Sequence, residues 1–357
     1  MAITNLPKPP QIHRFPQPKY VDYIRWLPSV FPFQKSSIIA FFATDTEAPS
    51  LEIHSFDPTS KALTPLSLWT PPSRISSLKS TSSFIAASTY LGSLHIFPTA
   101  TASSEIPGLE PIVSLDGKEF HRGSITGVDW MEGGSECVTV GEDGRVNLVN
   151  AFGAKGGSGK AGFRRVFDGN GLVSYSAVRR ASSSEFVTGG YGFGLQWWDT
   201  RRPGASVAHF KGDWDRGKTS GIIHSIDIHP SRKHTCLAGG SLGTVFAWDL
   251  RSPQQPIMLS GVGMNEAMTH SLSESEVWEV QYDHYTKPSS SRISSLQILP
   301  AMFCSEDGIL GVIEQGEEPT ELLAEPCAIN SFDIDHQNPS DVICCLEWES
   351  IAFLSRS

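Results

Sequence analysis

The chain is predicted to fold as an all-β, closed seven-bladed propeller, on three observations. First, a short apolar run meets a tight turn and a second apolar run seven times along its length. Five copies keep a turn glycine: Ala86–Pro98, Val138–Asn150, Val187–Arg201, Leu237–Arg251 and Phe303–Glu314. Two, Phe41–Asp57 and Val342–Arg356, are degenerate. Second, the turn glycines Gly92, Gly144, Gly194, Gly243 and Gly308 are separated by 52, 50, 49 and 65 residues. Third, Trp-Asp closes two copies, at Trp198-Asp199 and Trp248-Asp249. Self-similarity at this period is that of a small four-stranded sheet repeated around a ring.

Trp-Asp at the end of the third strand marks the repeat as WD40-like. Seven units in 357 residues leave about 51 each, above the roughly 40–45 usual for such a blade, so the surplus is expected in loops. Each unit divides into strands a to d. The third unit gives Ile125–Trp130, Glu136–Val140, Arg145–Val149 and Arg164–Phe167. The fifth gives Ile223–Ile228, Thr235–Gly240, Thr244–Leu250 and Pro256–Leu259. These are short β-rich runs bounded by Gly, Asp, Pro and Ser. Asp143-Gly144 and Asp307-Gly308 read as hairpin turns in which both positions favour positive φ. Within strand c, Leu195 and Trp197 share one face, and Trp198 aligns with Trp248. Trp198 and Trp248 are therefore expected to pack between blades.

The last unit offers three strands, Ala328–Ile334, Val342–Glu347 and Ser350–Leu354. A spare extended piece, Gln11–Phe15, precedes the first strand, Tyr20–Trp26. The expected closure puts that piece into the last blade as its fourth strand, which removes an open edge. Residues 1–19 then form a Pro-rich segment with the closing strand, and residues 20–357 a single propeller domain. The stretches Thr99–Pro111, Gly153–Phe163, Gly261–Ser275 and Lys287–Ser294 are rich in Ser, Gly or Pro and read as surface excursions.

Charge and composition narrow the partners. The formal net charge of −10 opposes nonspecific binding to nucleic acid or anionic lipid. No apolar run is long enough to span a bilayer, so no membrane insertion is expected. The six cysteines show no CxxC spacing and fall mostly in apolar strand runs, where buried free thiols in a reducing compartment are expected.

Catalytic and cofactor patterns are not met. In the Gly-rich stretch 153–162, a phosphate loop ending at Gly159-Lys160 would need glycine where Ala154 stands, and a hydroxyl where Ala161 stands. The eleven histidines show no metal-ligand spacing, and no GxSxG elbow occurs. No enzyme activity, cofactor, metal or small-molecule substrate is expected. The arginine pairs Arg164-Arg165, Arg179-Arg180 and Arg201-Arg202 read as a solvated rim, with an acidic partner or RNA as the sharper alternative.

Three stretches go beyond a generic propeller. Val138–Val149, Glu274–Asp283 with Phe303–Gly308, and Val342–Leu354 resemble the small WD40 nucleoporins of the Y-shaped, outer-ring subcomplex of the nuclear pore. The start YVDYIRWLP also looks like that family's first strand. The resemblance implies a non-catalytic scaffold at the nuclear envelope, docked on an α-solenoid nucleoporin of the Y-complex short arm. It implies support of pore assembly and nucleocytoplasmic transport. The chain has no FG repeats, so no direct part in the permeability barrier is implied.

Binding is expected on the face that carries the d–a loops. The candidate contacts are Trp214, Tyr191, Phe193 and Trp278, because aromatics on exposed loops dominate interface energetics when they find a pocket. The plainer readings are that Trp278 starts a buried strand and that Tyr191 packs over its own turn. A competing function rests on Trp198–Arg201 and Trp248–Arg251, which fit the WDxR signature of cullin-4 ligase substrate receptors. In that reading Arg201 and Arg251 contact the ligase adaptor.

Overall fold

The computed structural model describes residues 9–28, 35–57, 62–99, 108–152, 162–192, 194–202, 204–211, 221–241, 243, 245–249, 257–258, 275–286, 298–315 and 317–356. These form seven four-stranded antiparallel sheets. Blade 1 is Tyr20–Leu27, Lys35–Ala43, Ala48–Asp57 and Ala62–Trp69. Blade 2 is Ile75–Ser80, Phe84–Thr89, Leu94–Pro98 and Val113–Leu115. Blade 3 is Ile125–Trp130, Glu136–Gly141, Arg145–Asn150 and Phe163–Asp168. Blade 4 is Tyr175–Arg180, Glu185–Gly190, Gly194–Asp199 and Ala208–Lys211. Blade 5 is Ile223–Ile228, Thr235–Gly240, Val245–Asp249 and Ile257–Met258. Blade 6 is Val277–Tyr282, Ala301–Ser305, Ile309–Ile313 and Thr320–Ala324. Blade 7 is Ile329–Ile334, Asp341–Leu346 and Ser350–Ser355, completed by Gln11–Pro16.

The closing strand runs antiparallel to Ser350–Ser355, from Gln11 opposite Ser355 to Pro16 opposite Ser350. Its partner strand therefore has no open edge. Ile12 packs on the cluster between blades 6 and 7, and Phe15 on the one between blades 7 and 1. Strand a of each blade packs against strand a of its neighbours, so the a strands surround a central channel.

The core lies between blades, because each sheet is apolar on both faces and must be covered twice. Trp198 is fully buried with residues of blades 3 and 4. Its neighbour Trp197 points the other way, into the cluster of blades 4 and 5 that also holds Trp248. Successive side chains of a strand face opposite sides of the sheet, so Trp197-Trp198 serves two interfaces from one strand. All six cysteines are buried and free.

A feature absent from the sequence reading recurs in all seven blades. The a–b register slips by one residue near the start of strand a, at Asp22, Ser76, Thr126, Ser176, His224, Trp278 and Asn330. Each slip is a β-bulge that re-aims one side chain. Three of these side chains donate to the next blade: Ser76 to Ile125 O at 2.5 Å, Thr126 to Tyr175 O at 2.6 Å and Ser176 to Ile223 O at 2.5 Å. Asp22 and His224 reach Arg74 and Glu276, at the entry to the next strand a. Five of the seven bulges thus stitch a blade to the next on one face.

Candidate partner-binding face

The b–c turns and the d–a connections share one face. Four of the turns close the same way, through a bond from glycine N–H to a carbonyl three residues earlier. They run from Gly92 to Thr89, Gly144 to Gly141, Gly243 to Gly240 and Gly308 to Ser305, at 3.0–3.2 Å. Among the described residues of these turns only the glycine is left-handed, which corrects the expectation that Asp143 and Asp307 also adopt positive φ. A Cβ on Gly308 would lie 2.0 Å from Glu325 O, and one on Gly144 2.4 Å from Val173 O. The turns are pressed directly onto the following d–a connection. In blade 4 the left-handed residue is Gly192, at φ +75°; Gly194 instead opens strand c. The degenerate turns of blades 1 and 7 place Glu47 and Glu349 in the left-handed region.

Blade 3 shows what Asp143 does. His121 arrives from the d–a connection and is buried. Its Nδ1 lies 3.1 Å from Asp143 Oδ1, and its Nε2 lies 3.0 Å from Thr139 Oγ1 and 2.9 Å from Asn147 Nδ2. Since the Asn147 amide donates, these contacts fit a neutral imidazole with its proton on Nδ1. Burial pushes the His121 pKa down, against the opposing pull of Asp143. Asp143 also accepts the N–H groups of Arg122 and Arg145, at 2.8 and 3.1 Å. A carboxylate held in this way caps a turn.

The same face carries several exposed apolar side chains. Tyr191, at the tip of the blade 4 turn, is 66% exposed. It forms an isolated bridge with Ile222 through the backbone, which leaves the ring outward. Trp278 is half-buried at the bulge of blade 6. Its Nε1 donates to Glu306 Oε2 at 2.7 Å, and its ring lies 4.6 Å from that of His224. Trp214, Phe193 and Arg251 lie outside the described residues, as do most of the four predicted excursions.

The sequence reading missed four side chains on this face. Tyr90 and Leu91 cap the blade 2 turn at 54% and 73% exposed, and Leu172, in the connection from blade 3 to blade 4, is 91% exposed. With Tyr191 they form an arc over blades 2 to 4. Trp348, 63% exposed, caps the turn of blade 7. Large apolar residues at the tips of tight turns do nothing for the turn itself, and that was the available signal.

The arginines divide differently from expectation. Arg201 lies at the far end of strand c, on the opposite face, and both its Nε and Nη2 lie 2.8 Å from the carboxylate of Asp199. That pairing holds the Asp199 carboxyl down at about 2. Arg165 bonds Asp168. Arg179 is not on a rim: it lies in the channel between Asp227 at 2.8 Å and Asp129 at 3.5 Å.

The channel wall is a belt of polar residues from corresponding positions of strand a. Asp129, Asp227 and Asp333 each accept a backbone N–H from the next blade, of Arg180, Tyr282 and Trp26, at 2.7–2.8 Å. Arg25 bonds both oxygens of Glu279 and also reaches Ser331 Oγ and Phe332 O. Burial pushes the Glu279 pKa up, but Arg25, Lys79 and the hydrogen bonds from Ser331 and the Phe332 N–H outweigh it and hold the pKa low.

No protein-family model matches the chain. Over 367 aligned residues it is 59% identical to the nuclear pore complex protein NUP43 of Arabidopsis thaliana, spanning 97% of this chain and 98% of that protein. Over 178 aligned residues it is 29% identical to nucleoporin Nup43 of Homo sapiens and of Mus musculus, spanning 49% of this chain and 38% of each of those.

Proposed function

The chain belongs to the Nup43 family of nuclear pore proteins, and from that membership we propose that it is a non-catalytic subunit of the pore's outer ring. It docks through its b–c and d–a face on an α-solenoid nucleoporin of the Y-complex short arm. In that place it supports pore assembly and nucleocytoplasmic transport. A propeller of this family is a scaffold at the nuclear pore.

The observation that carries it is the gathering of Tyr90, Leu91, Leu172 and Tyr191 on one arc of one face. Isolated apolar side chains on a surface need no explanation, whereas several on one face, here on the blade 2 turn, the connection from blade 3 to blade 4 and the blade 4 turn, support an interface there. A helical solenoid presents ridges of side chains that an arc of aromatic and leucine tips can straddle. The net charge of −10 speaks against nucleic acid as the partner. We take residues 20–357 as one propeller domain and residues 1–19 as the segment that brings the closing strand.

The test is affinity purification of the tagged full chain, followed by mass spectrometry. Recovery of outer-ring nucleoporins supports the proposal. Recovery of the cullin-4 adaptor in their place would favour the WDxR reading through Arg201 and Arg251.

A further inference from the structure

The face opposite the proposed docking surface opens into a cavity of about 1080 Å³, which is the wide end of the central channel. All but one of its carboxylates are already engaged; the exception, Glu132, is exposed on the rim and unpaired among the described residues. Asp129, Asp227 and Asp333 hold backbone N–H groups, and Asp335 lies 2.5 Å from Lys35 Nζ. Two of its arginines are engaged as well, Arg25 by Glu279 and Arg179 by Asp129 and Asp227.

Two cations on the same wall are not. Lys79 is partly buried where the wide compartment meets the narrower one beyond it, and it lines both. Among the described residues its ammonium makes no hydrogen bond or ion pair. Arg180 stands on the rim of the same cavity, exposed, with its backbone N–H given to Asp129 and its guanidinium unpaired among the described residues. Two unpaired cations against one unpaired carboxylate, Glu132, leave the balance of unspent charge in this cavity positive, in a chain of net charge −10. Burying an ammonium without a counter-ion costs free energy, and such a group either gives up its proton or gains an anion. Burial and the like charges of Arg25 and Arg179 do press the Lys79 pKa down, against the pull of Glu279 and Asp129.

We propose that the channel is a binding site for a multiply charged oxyanion of the phosphate type, seated on Lys79 and reached by Arg180 from the rim. Lys79 and Arg180 come from blades 2 and 4, so the ligand must present charge in two directions. A phosphate or pyrophosphate group does so, with acceptor oxygens on several sides. Ser82 and Ser83 are exposed in the a–b turn of blade 2, and their hydroxyls add donors at the same mouth. The site is independent of the docking face, so it stands or falls apart from the scaffold reading.

The experiment is calorimetric titration of the full chain in low-salt buffer with pyrophosphate, and in parallel with glutarate as a compact dicarboxylate. Lys79→Met and Arg180→Gln are the variants. Pyrophosphate should bind, with Kd raised at least about tenfold in Lys79→Met and several-fold in Arg180→Gln. Without ligand, Lys79→Met should unfold at the same or a higher denaturant concentration than the natural chain, because it keeps the aliphatic stem and removes a partly buried ammonium whose desolvation outweighs the pull of Glu279 and Asp129. A purely structural lysine would give the reverse, lost stability with ligand affinity unchanged. Glutarate binding as tightly as pyrophosphate would overturn the phosphate assignment. Absence of binding, or equal binding by Lys79→Met, would overturn the site.

Discussion

Trp198 and Trp248 occupy the same step of strand c in adjacent blades, yet trimming each to phenylalanine should cost different amounts. Both are essentially inaccessible to solvent. Each substitution leaves a void the size of part of an indole, worth about 1 kcal/mol. For Trp248 the cost should stop there, since among the described residues its Nε1–H has no acceptor. Trp198 is different: its Nε1 donates to Thr188 Oγ1 at 2.9 Å, and Thr188 is itself fully buried. Removing the indole orphans that hydroxyl and adds about 1–2 kcal/mol. The ring stacks 5.9 Å from Phe186 and lies 5.4 Å from Phe167, contacts a phenyl ring can largely keep. Trp248→Phe should therefore lose about 1 kcal/mol and Trp198→Phe about 2–3 kcal/mol. Adding Thr188→Val to Trp198→Phe should recover about 1 kcal/mol, because the stranded hydroxyl is gone. Guanidinium unfolding followed by circular dichroism, with equal slopes across the set, measures all three. Equal losses for the two tryptophans, or no recovery in the double variant, would refute the assignment.

Deleting residues 1–18 should lower stability by about 2–4 kcal/mol through loss of the closing ladder and of the Ile12 and Phe15 contacts, read as an earlier, broader unfolding transition. An unchanged midpoint would show that blade 7 closes without this strand. Gly308→Ala should cost at least about 2 kcal/mol in the same assay, since the left-handed backbone alone costs about 1–2 kcal/mol and the methyl group meets Glu325 O. Acidification should weaken the fold in two stages. Burial lowers the pKa of His95 and His229 to about 4, so below pH 6.5 the unfolded chain takes up protons that the folded chain refuses, and stability falls as pH drops through that window. After allowance for partial solvent screening, each histidine withdraws on the order of 1–2 kcal/mol. Burial also pushes the Glu52 pKa up, but hydrogen bonds from His54, Lys19 and Ser50 overcome this and bring it to about 2, so its contribution is lost only below pH 4.5. Midpoints measured from pH 7 to pH 3 that stay flat above pH 4.5 would contradict the histidine stage.

The architecture was legible because it is written in local patterns. Apolar alternation, turn glycines and the closing strand each depend on neighbours in sequence, and Gln11–Pro16 falls within one residue of its expected bounds. The turn at Gly194 was misplaced because YGFG offers two glycines, and only the register of strand c decides which of them turns. The bulges at Ser76, Thr126 and Ser176 were invisible, since a serine or threonine that donates to the next blade looks like any polar residue in a strand. Arg179 was read onto a rim for the same reason: its partners, Asp129 and Asp227, lie about 50 residues away on other blades. On the proposed docking face, the exposure of Tyr191 was legible because an aromatic beside glycine stands out, while Leu172 lies in a short connection with no pattern at all.

The scaffold account is tested most directly by one variant of the full chain carrying Tyr90→Ser, Leu91→Ser, Leu172→Ser and Tyr191→Ser, measured for binding to the purified α-solenoid nucleoporin. All four side chains are more than half exposed, so the variant should fold with an unchanged unfolding midpoint. Its affinity should fall at least about a hundredfold, as expected when several central apolar contacts are removed together. A folded variant that binds as tightly as the natural chain would contradict the account and put the partner on the rims or the opposite face.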